Sequence, residues 1–543
     1  MIRLKGGRII DPANGRDETG DLFIDRGRIV ETPANPDAAE TYDVSGKIVM
    51  AGAIDIHSHI AGGNVNFSRL LLAEEHPGSE PHPGHLPFST ARWSTYETGR
   101  LYAQMGFTTV VEPAMSPQNA LHAHLELADI PFIDKATLAV LGNEDFLLRM
   151  LRDGASDNQL DDYVAWSVTQ AKALGVKVIN AGGAAAFKEN VRTFGLEDIV
   201  PSYGLSSRAI LQALLASVNR LGIPHPLHVH CNNLGIAGSF VTAIETMEAA
   251  GGLPLHMAHL QFYGYGTEGK RSFSSAAAFL AEAITYHKNI TIDVGQVMFG
   301  QTVTVSSDVL RQHESRPSAR PKKWIVWDGE GNGGGVLPYK YNAKSYYNAL
   351  QWAIGLELFL LIDDPWRVFF TTDHPNGAPF TTYPQILHLL MSADERAAWI
   401  DRLPKSAMKM SLLPQLTREY DLYEIAIMTR ASPARLLGLP DRGQLGVGAA
   451  ADISVYTEQD DKAAMFEAAD YVFKDGELIV EHGKAKPYRW GRTHVLRPSH
   501  DAQIEERLTR YYNSTYGAPR DIFAVPDRLS ANAHRFEEQR CRT

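Results

Sequence analysis

The central part of the chain alternates helical and strand-like segments, and this alternation restricts the possible folds more than any other feature of the sequence. Residues 96–105 have the apolar spacing of a helix, which ends at Gly106 before an apolar run. Residues 159–174 repeat the arrangement, with Gly175 as the stop. About eight such alternations within residues 51–435 favour a closed parallel (β/α)8 barrel, the TIM-barrel architecture of α/β proteins, over an open sheet.

Both ends of the chain contain short apolar runs separated by tight turns. Residues 1–50 show three such runs, and similar runs return at residues 451–458 and 471–484. We therefore expect a small β-sandwich domain that is formed by both termini. The predicted division is residues 1–50 for the N-terminal part of the β-domain, 51–435 for the barrel, 436–490 for the C-terminal part of the β-domain, and 491–543 for a charged C-terminal extension.

Composition indicates a large, acidic, globular protein. A chain of 543 residues exceeds one ordinary core, which agrees with a barrel plus a satellite domain. The net charge of -11 argues against a nucleic-acid-binding surface, since phosphate contact needs a basic field. The two cysteines, Cys231 and Cys541, cannot form a disulfide framework or ligate a four-cysteine iron–sulfur cluster.

No segment predicts export or membrane insertion. The start, MIRLKGGRII, lacks the apolar core of a signal peptide. The longest apolar run, residues 352–362, is interrupted by Glu357 and is far shorter than the ~20 residues that span a bilayer. We expect a cytoplasmic enzyme.

Three His-x-His pairs are the first candidates for chemistry. The chain has 20 histidines, so chance alone supplies roughly one such pair, and context has to separate them. His57 and His59 follow the apolar run IVMAGAIDI, where the period of a strand directs both rings to one side and makes a ready metal site. His122 and His124 lie in a helical segment, where residues two apart diverge by about 200°, so we expect packing or solvent contact there.

Two later strands end in further histidines. His228 and His230 close the strand PLHVH, which forms the third pair. His256 and His259 lie three apart on the next strand and so face opposite sides of it. Only one residue of each couple needs to bind a metal, and the other is then a packing histidine or a residue behind the metal site.

Three other features have competing interpretations. Asp373 follows an apolar strand and is either a metal-binding carboxylate or a helix N-cap. Cys231, beside His230, could serve as a thiol nucleophile, although a metal site already accounts for the histidine. Residues 329–334, GEGNGG, match the dinucleotide fingerprint but lack a helix start after them, so we interpret them as a flexible loop over the barrel mouth.

Several motifs resemble the amidohydrolase superfamily of the dihydroorotase and hydantoinase type. GGRIIDPANG and SGKIVMAGAIDIHSH resemble its opening, and DRGQLGVGAAADISVY resembles its close. Between them, LHVHCNN, LHMAHLQ and TTDHP resemble the motifs of the fifth, sixth and eighth barrel strands. The resemblance covers about residues 2–485, and the joint order of the motifs is highly specific.

The resemblance implies a metal centre at the ends of the barrel strands. It makes His57 and His59 the ligands of the first strand. His230 and His259 become the ligands of strands five and six. Asp373 becomes the ligand of strand eight and the general base.

In this subtype a carboxylated lysine at the end of the fourth strand bridges the metals. Lys177, in LGVKVIN, occupies that place, and Lys188 beyond it, in a segment that we interpret as a loop, is the competing candidate. Weaker candidates, for substrate binding or for contacts behind the metal ligands, are Asn232, Asn233, His228 and Gln261.

Longer stretches narrow the resemblance. HVHCNNLG, TIDVGQV and QWAIGLELFLLIDDPW resemble the family of the A-type subunits of formylmethanofuran dehydrogenase and, more closely, their bacterial counterparts in formyltransferase/hydrolase complexes of methylotrophs. This implies zinc-dependent hydrolysis, with about two ions, of N-formylmethanofuran or an analogue to formate and the free C1 carrier. It also implies partner subunits of the B, C and D types. The alternatives are a cyclic amide hydrolase of the hydantoinase type, a component of a redox complex, and a metal-free scaffold.

A cationic cluster precedes residues 329–334. It comprises Arg311, Arg316, Arg320, Lys322 and Lys323. The resemblance implies a carrier with a glutamate-rich tail, which such a cluster could attract locally despite the acidic net charge. A solvated loop or a contact with a partner is an equally good interpretation.

Overall fold

The computed structural model describes residues 1–72, 94–487, 490–527, 529 and 535–542. The strands, in chain order, are β1 (Ile2–Asp11), β2 (Arg16–Asp25), β3 (Arg28–Val30), β4 (Glu40–Asp43), β5 (Lys47–Ala51), β6 (Ala53–Asp55), β7 (Phe107–Met115), β8 (Asp134–Leu141), β9 (Gly175–Ile179), β10 (Ile199–Val200), β11 (Leu205–Ser206), β12 (Leu227–His230), β13 (Leu255–Met257), β14 (Ile290–Asp293), β15 (Gly300–Ser306), β16 (Ile325–Gly329), β17 (Asn332–Tyr341), β18 (Val368–Phe369), β19 (Ile453–Thr457), β20 (Tyr471–Lys474), β21 (Glu477–Glu481), β22 (Lys484–Ala485), β23 (Arg492–Leu496) and β24 (Arg535–Gln539).

The α-helices, in chain order, are α1 (Gly63–Leu71), α2 (Thr95–Gln104), α3 (Ala120–Asp129), α4 (Asp145–Arg152), α5 (Asp157–Gln170), α6 (Gly183–Lys188), α7 (Ser207–Arg220), α8 (Ser239–Ala249), α9 (Ala277–Tyr286), α10 (Val309–Ser315), α11 (Tyr346–Leu361), α12 (Tyr383–Met391), α13 (Ala393–Ile400), α14 (Lys405–Met408), α15 (Leu422–Ala426), α16 (Ser432–Leu437), α17 (Lys462–Glu467) and α18 (Ala502–Tyr516).

Eight parallel strands form the predicted barrel, in the order β6, β7, β8, β9, β12, β13, β14 and β18. Just beyond the last and first strands, Ser58 bridges His374, and the backbone N–H of His59 donates to the carbonyl of His374 at 2.8 Å. This bond closes the barrel beside the ends of its strands. The prediction of a (β/α)8 barrel is therefore confirmed, and the polar residues after each strand meet at one mouth.

The helix and strand predictions hold, with shifts at their ends. Helix α5 ends at Gln170, four residues earlier than predicted, and Lys172 just after it has a positive φ of 51°. His256 lies in β13, but His259 lies beyond this strand and not on it as predicted, because the backbone there leaves the extended conformation with a φ of 35°. Helix α7 begins with a capping serine, since the Ser206 hydroxyl accepts from the backbone N–H of Ala209.

The apolar run over residues 352–362 belongs to the buried helix α11. The Glu357 carboxylate inside this helix is fully buried and accepts bonds from the Ser411 hydroxyl at 2.9 Å and the Leu413 backbone N–H at 3.0 Å. The run is thus a core helix whose one charge is hydrogen-bonded. Within the described ranges, no helix combines the length and apolarity that crossing a membrane requires.

Both termini contribute to one β-domain, as predicted. Hydrogen bonding joins nine strands in the order β22, β21, β20, β19, β5, β1, β2 and β3, with β4 also paired to β1. The antiparallel pairing of β5 with β19, from Ala51 opposite Ile453 to Lys47 opposite Thr457, connects the two ends of the chain. A separate apolar cluster from both termini, with Val49, Val455 and others, fills this domain.

An insertion between β14 and α11, residues 300–341, lies over the barrel mouth, and we call it the flap. Its strands form an antiparallel sheet in the order β15, β17 and β16, and α10 packs on β17. The prediction of a loop at residues 329–334 is wrong, because these residues turn between β16 and β17 and pair within the sheet. A Cβ on Gly335 would lie 2.4 Å from the Cβ of Gln312, so glycine here lets α10 approach the sheet.

The C-terminal extension adds two strands to the sheet of the barrel, next to the start of β8. Strand β23 pairs in parallel with the start of β8, at Thr493 opposite Lys135, and β24 pairs with β23. Asp134, fully buried at the start of β8, lies 2.9 Å from Lys474 of the β-domain and 3.2 Å from the His494 ring of β23. The barrel, the β-domain and the extension therefore meet at one carboxylate.

We predict that Asp134→Asn lowers the free energy of unfolding by about 3 kcal/mol, because it leaves the buried Lys474 charge undercompensated. Urea denaturation of the full chain measures the loss. The control is Glu481→Gln, which removes an exposed pair with Lys486 and should leave the free energy of unfolding nearly unchanged. Equal losses in the two variants would refute the structural role of Asp134.

Candidate metal centre

The six residues that the resemblance selected lie together at the barrel mouth. His57 and His59 follow β6, Lys177 lies in β9, and His230 ends β12. The remaining two, His259 and Asp373, follow β13 and β18. All six side chains are buried.

The donor atoms of these residues face one another at metal-site separations. The Nε2 atoms of His57 and His59 lie 3.1 and 3.3 Å from Oδ1 of Asp373, and the Lys177 Nζ lies 3.2 Å from Nε2 of His57. His230 Nδ1 and His259 Nε2 are 3.1 Å apart. Atoms that share one zinc ion at about 2.1 Å lie about 3 to 3.5 Å from one another, so this donor set fits the metal.

A buried carboxylate stands behind three of the four histidines. His57 Nδ1 is 3.0 Å from Asp293, and His59 Nδ1 is 3.0 Å from Glu112. Asp308 lies 3.2 Å from Nε2 of His230. A carboxylate accepts the N–H of one ring nitrogen, which leaves the lone pair of the other directed into the site.

Sequence reasoning did not find these carboxylates, although two of them carried a signal. Glu112 follows the apolar residues of β7, and Asp293 is the last residue of β14, so both are polar residues near strand ends on the barrel mouth. Asp308 carried none, because it lies in the flap and not in a strand of the barrel.

Three further imidazoles lie beneath His57. His228 Nε2 is 3.1 Å from His57 Nδ1, His225 Nε2 is 3.1 Å from His228 Nδ1, and His256 Nε2 is 3.1 Å from Asp293. Burial lowers the pKa of all three rings, for His225 and His228 well below the ordinary value. These rings are therefore neutral at physiological pH and support His57 and Asp293 from below.

The other weak candidates, Asn232, Asn233 and Gln261, form hydrogen bonds with neighbouring residues of the protein. Asn232 Nδ2 donates to the Asn180 side chain at 2.7 Å, and Asn233 Nδ2 donates to the Thr242 hydroxyl at 3.0 Å. The side-chain oxygen of Gln261 accepts from the backbone N–H of Val297 at 2.9 Å. Like His228, which contacts His57, none of these residues lines the cavity above the site.

Burial makes Lys177 more reactive as an amine. Loss of solvent lowers its pKa to about 8, although the Asp373 and Asp293 carboxylates oppose the shift. About a tenth of the amine is then neutral at pH 7, far more than for an ordinary lysine, and the neutral amine is the form that takes up carbon dioxide as a carbamate. Lys188, the competitor, lies instead at the end of α6, a short helix and not the predicted loop, and donates to the Gly329 carbonyl at 2.7 Å.

Asp373 is not the N-cap of any helix in the described part of the chain. Its φ of 52° and the 35° of His259 are positive, a backbone region that non-glycine residues rarely adopt and that is common at functional sites. Burial alone raises the pKa of Asp373, but His57 and His259 outweigh it, so the pKa lies well below the ordinary value. Asp373 is therefore ionised at neutral pH.

Cys231 and the helical histidine pair take no part in the site. Burial raises the pKa of the Cys231 thiol to about 12, and its sulfur packs 4.0 Å from the Met257 sulfur. His124 is buried on α3 with Nε2 2.8 Å from the Ala171 carbonyl, and His122 on the same helix is exposed. A thiol nucleophile is thus excluded, since a buried, protonated thiol outside the cavity cannot attack a substrate.

A cavity of about 270 Å³ opens above the six residues and is walled by the flap. Its polar and aromatic lining includes Asn64, Phe262, Gln312, Trp327, Asn332, Tyr339, Tyr341 and Asn376. Among the described lining residues, Arg311 is the one charged side chain that does not touch the metal-ligand cluster. Its Nη1 donates to Glu314, while its buried Nε has no hydrogen-bond partner among the residues that the structure describes.

The other four residues of the cationic cluster do not line the cavity. Arg316 donates to the His313 carbonyl, Arg320 to the carbonyls of residues 317 and 319, and Lys322 to the carbonyl of residue 317. Lys323 donates to the carbonyl of residue 71. These bonds hold the turn between α10 and β16, so only Arg311 remains a candidate for contact with a ligand in the cavity.

Comparison with known proteins agrees with this geometry. Residues 40–480 match the model of the amidohydrolase family. The chain belongs to this family. The family resemblance carried by the motifs is thereby confirmed, and membership indicates a hydrolase.

Two relatives that align over nearly the full length of this chain show which group of amidohydrolases it resembles. The A-type subunit of the formyltransferase/hydrolase complex Fhc of Methylorubrum extorquens is 49% identical, and the alignment covers 100% of both chains. Protein FwdA of Methanocaldococcus jannaschii is 38% identical over 93% of this chain and 92% of its own. A chain in the crystal structure of the Methylorubrum extorquens complex FhcABCD with methylofuran superposes with a TM-score of 0.97, at 49% identity and full coverage of both chains.

We predict that Lys177→Ala loses most of its bound metal and activity, because it removes the amine to which the family resemblance assigns a metal-binding carbamate. Short carboxylic acids added to the variant should restore part of both. Metal analysis of the purified protein gives the measurement, and Lys188→Ala, which removes a lysine outside the site, should keep the wild-type metal content. Full metal content in Lys177→Ala would contradict the assignment.

Proposed function

We propose that this amidohydrolase cleaves the formamide bond of an N-formylated C1 carrier of the methanofuran type, and so releases formate and the free amine. It acts in the cytoplasm as the A-type subunit of a formyltransferase/hydrolase complex, beside subunits of the B, C and D types, in one-carbon metabolism. The observation that carries the proposal is the convergence of six donor residues, five of which line the floor of a cavity. The full-length relatives, one of them described in a complex with methylofuran, supply the substrate class.

We assign two zinc ions to the site. His57, His59 and Asp373 would hold the first, and His230 and His259 the second, with the carbamate of Lys177 between them. Bound zinc polarises a carbonyl and lowers the pKa of water toward ~7. The retention of every donor argues against a metal-free scaffold.

The chain's own groups perform the proton transfers. Asp373 is ionised at neutral pH, so its carboxylate can accept a proton from the water that attacks the formyl carbon. The same carboxyl then donates that proton to the departing nitrogen as the C–N bond breaks. The products are formate and the amine, and no oxidation state changes. Asn376 donates to Oδ1 of Asp373 at 3.0 Å and so fixes the orientation of the carboxylate.

We predict that the purified chain, with its co-purifying partners, releases formate from the formylated carrier anaerobically and without an electron acceptor. Asp373→Asn should lower the rate by at least about 100-fold while much of the metal stays bound, because the amide can coordinate weakly but cannot carry the proton. Asp153→Asn, at an exposed site, serves as the control.

Formate that appears only when an electron carrier is supplied would refute the hydrolase and favour a component of a redox complex. Turnover of hydantoin or dihydrouracil in place of the formamide would favour the cyclic amide hydrolase.

We predict that Arg311→Gln raises KM and flattens its dependence on salt, since Arg311 lines the cavity and would attract the anionic tail that the resemblance implies. Lys322→Gln, in the same cluster but bound to a backbone carbonyl, should change neither quantity. Steady-state kinetics between low and physiological salt make the comparison. Unchanged kinetics in Arg311→Gln would leave the cluster with a structural role alone.

A further inference from the structure

The three carboxylates behind the ligand histidines come from two different parts of the fold. Glu112 lies in β7 and Asp293 ends β14, so the barrel itself positions His59 and His57. Asp308, which contacts His230, belongs to the flap, between β15 and α10. One ligand histidine, His230, is therefore contacted by an inserted segment, whereas the backbone N–H of its neighbour His259 donates to Asp293 of the barrel.

We propose that Asp308 is a positioning residue of the metal centre, and that the flap completes the second metal-binding pair, His230 and His259, only when it is docked. The inference rests on the proposed function, because it takes that pair to bind zinc. It goes further by coupling metal binding thermodynamically to the docking of the flap.

Both carboxylate oxygens of Asp308 are engaged. Oδ2 lies 3.2 Å from Nε2 of His230, and Oδ1 accepts from the Arg311 backbone N–H at 3.2 Å and from the Asn180 side chain at 3.3 Å. Asp308 is 2% exposed, so its charge depends on these bonds. It caps α10 and holds His230 with one carboxyl group, which ties the helix to the metal ligand.

This contact decides which nitrogen of His230 is offered to a metal. With its N–H at Nε2 donated to Asp308, the ring presents the Nδ1 lone pair toward His259 Nε2, 3.1 Å away. Without Asp308, the buried Nε2 loses its partner and the ring is free to rotate or to change tautomer. The pair would then bind a metal more weakly.

The position of Asp308 depends on the docking of the whole flap. Helix α10 rests on β17 at a point where a side chain on Gly335 would clash. The flap in turn is anchored across the mouth, since Trp327 Nε1 donates to the Asn64 side chain at 2.9 Å and Glu330 accepts from the Asp145 backbone N–H at 3.0 Å. A displaced flap would carry Asp308 away from His230.

The same helix forms part of the cavity wall, through Arg311 and Gln312. A ligand that binds these side chains therefore stabilises the docked flap, and the docked flap stabilises the second metal pair. By linkage, metal at this pair must stabilise the flap to the same extent. Occupied metal and a closed cavity are thus coupled, and hydrolysis is confined to the closed state.

The first test measures zinc affinity on the full chain with its partners, by competition with a chromophoric chelator. Asp308→Ala should weaken the second zinc equivalent by about 10- to 100-fold and leave the first unchanged. Asp308→Asn, which keeps an acceptor for the His230 N–H, should recover part of the affinity and guards against a folding defect in the alanine variant. Asp328→Ala, a flap carboxylate that faces Lys188, is the matched control and should bind zinc as the wild type does.

The second test measures hydrogen exchange of residues 300–341 with and without zinc. Zinc should slow exchange in the wild-type flap and in Asp328→Ala, but not in Asp308→Ala, even at zinc concentrations that fill both sites. Equal zinc affinity in Asp308→Ala, or a wild-type flap whose exchange ignores zinc, would overturn the inference. A wild-type chain that binds no zinc at all would instead refute the proposed function, so the two failures are distinguishable.

Discussion

The hydrogen bond from the His59 backbone to the His374 carbonyl closes the barrel, and the placement of the site depends on that closure. It brings the end of β6, with His57 and His59, beside Asp373 at the end of β18, although more than 300 residues separate them in the chain. Parallel strands then deliver Lys177, His230 and His259 to the same mouth. An open sheet would leave the first and last strands apart, and no common metal site could form.

Burial of so many polar groups costs free energy, and the chain offsets this cost because the buried groups form hydrogen bonds and ion pairs with one another. Asp293 is fully buried, and the rings of His57 and His256 bond to it and keep its pKa well below the ordinary value despite burial. The neutral imidazoles of His225 and His228 add hydrogen bonds without adding charge. The result is a rigid floor beneath His57, whereas His230 is held by Asp308 of an inserted flap. In the proposed site, one pair of metal-binding histidines is thus held by carboxylates of the barrel, and the other receives a carboxylate from the flap.

The sequence predicted those features of the protein that local residue patterns determine. Strand period explains why His57 and His59 share a side, and the glycines at 106 and 175 located the ends of α2 and α5 to within a few residues. The choice of Lys177 over Lys188 needed the family resemblance, because both follow apolar residues and only the fold separates them by position. The prediction of a loop at residues 329–334 was wrong because the contacts that favour glycine there are tertiary: a Cβ on Gly331 would lie 2.8 Å from Cγ of Glu144, and one on Gly333 would lie 3.1 Å from Cβ of Val309 on α10. Asp308 could not be found for the same reason: its partner is far away in sequence.

The most direct test of the proposed hydrolysis follows the transfer of an oxygen atom from water to formate. If the site performs hydrolysis, formate released from the formylated carrier in water enriched in oxygen-18 will carry one labelled oxygen, without any electron acceptor present. The label will be absent when Asp373→Asn is used, because formate itself no longer forms at a measurable rate. Formate that leaves the wild-type site unlabelled, or that appears only in the presence of an electron carrier, would contradict the account.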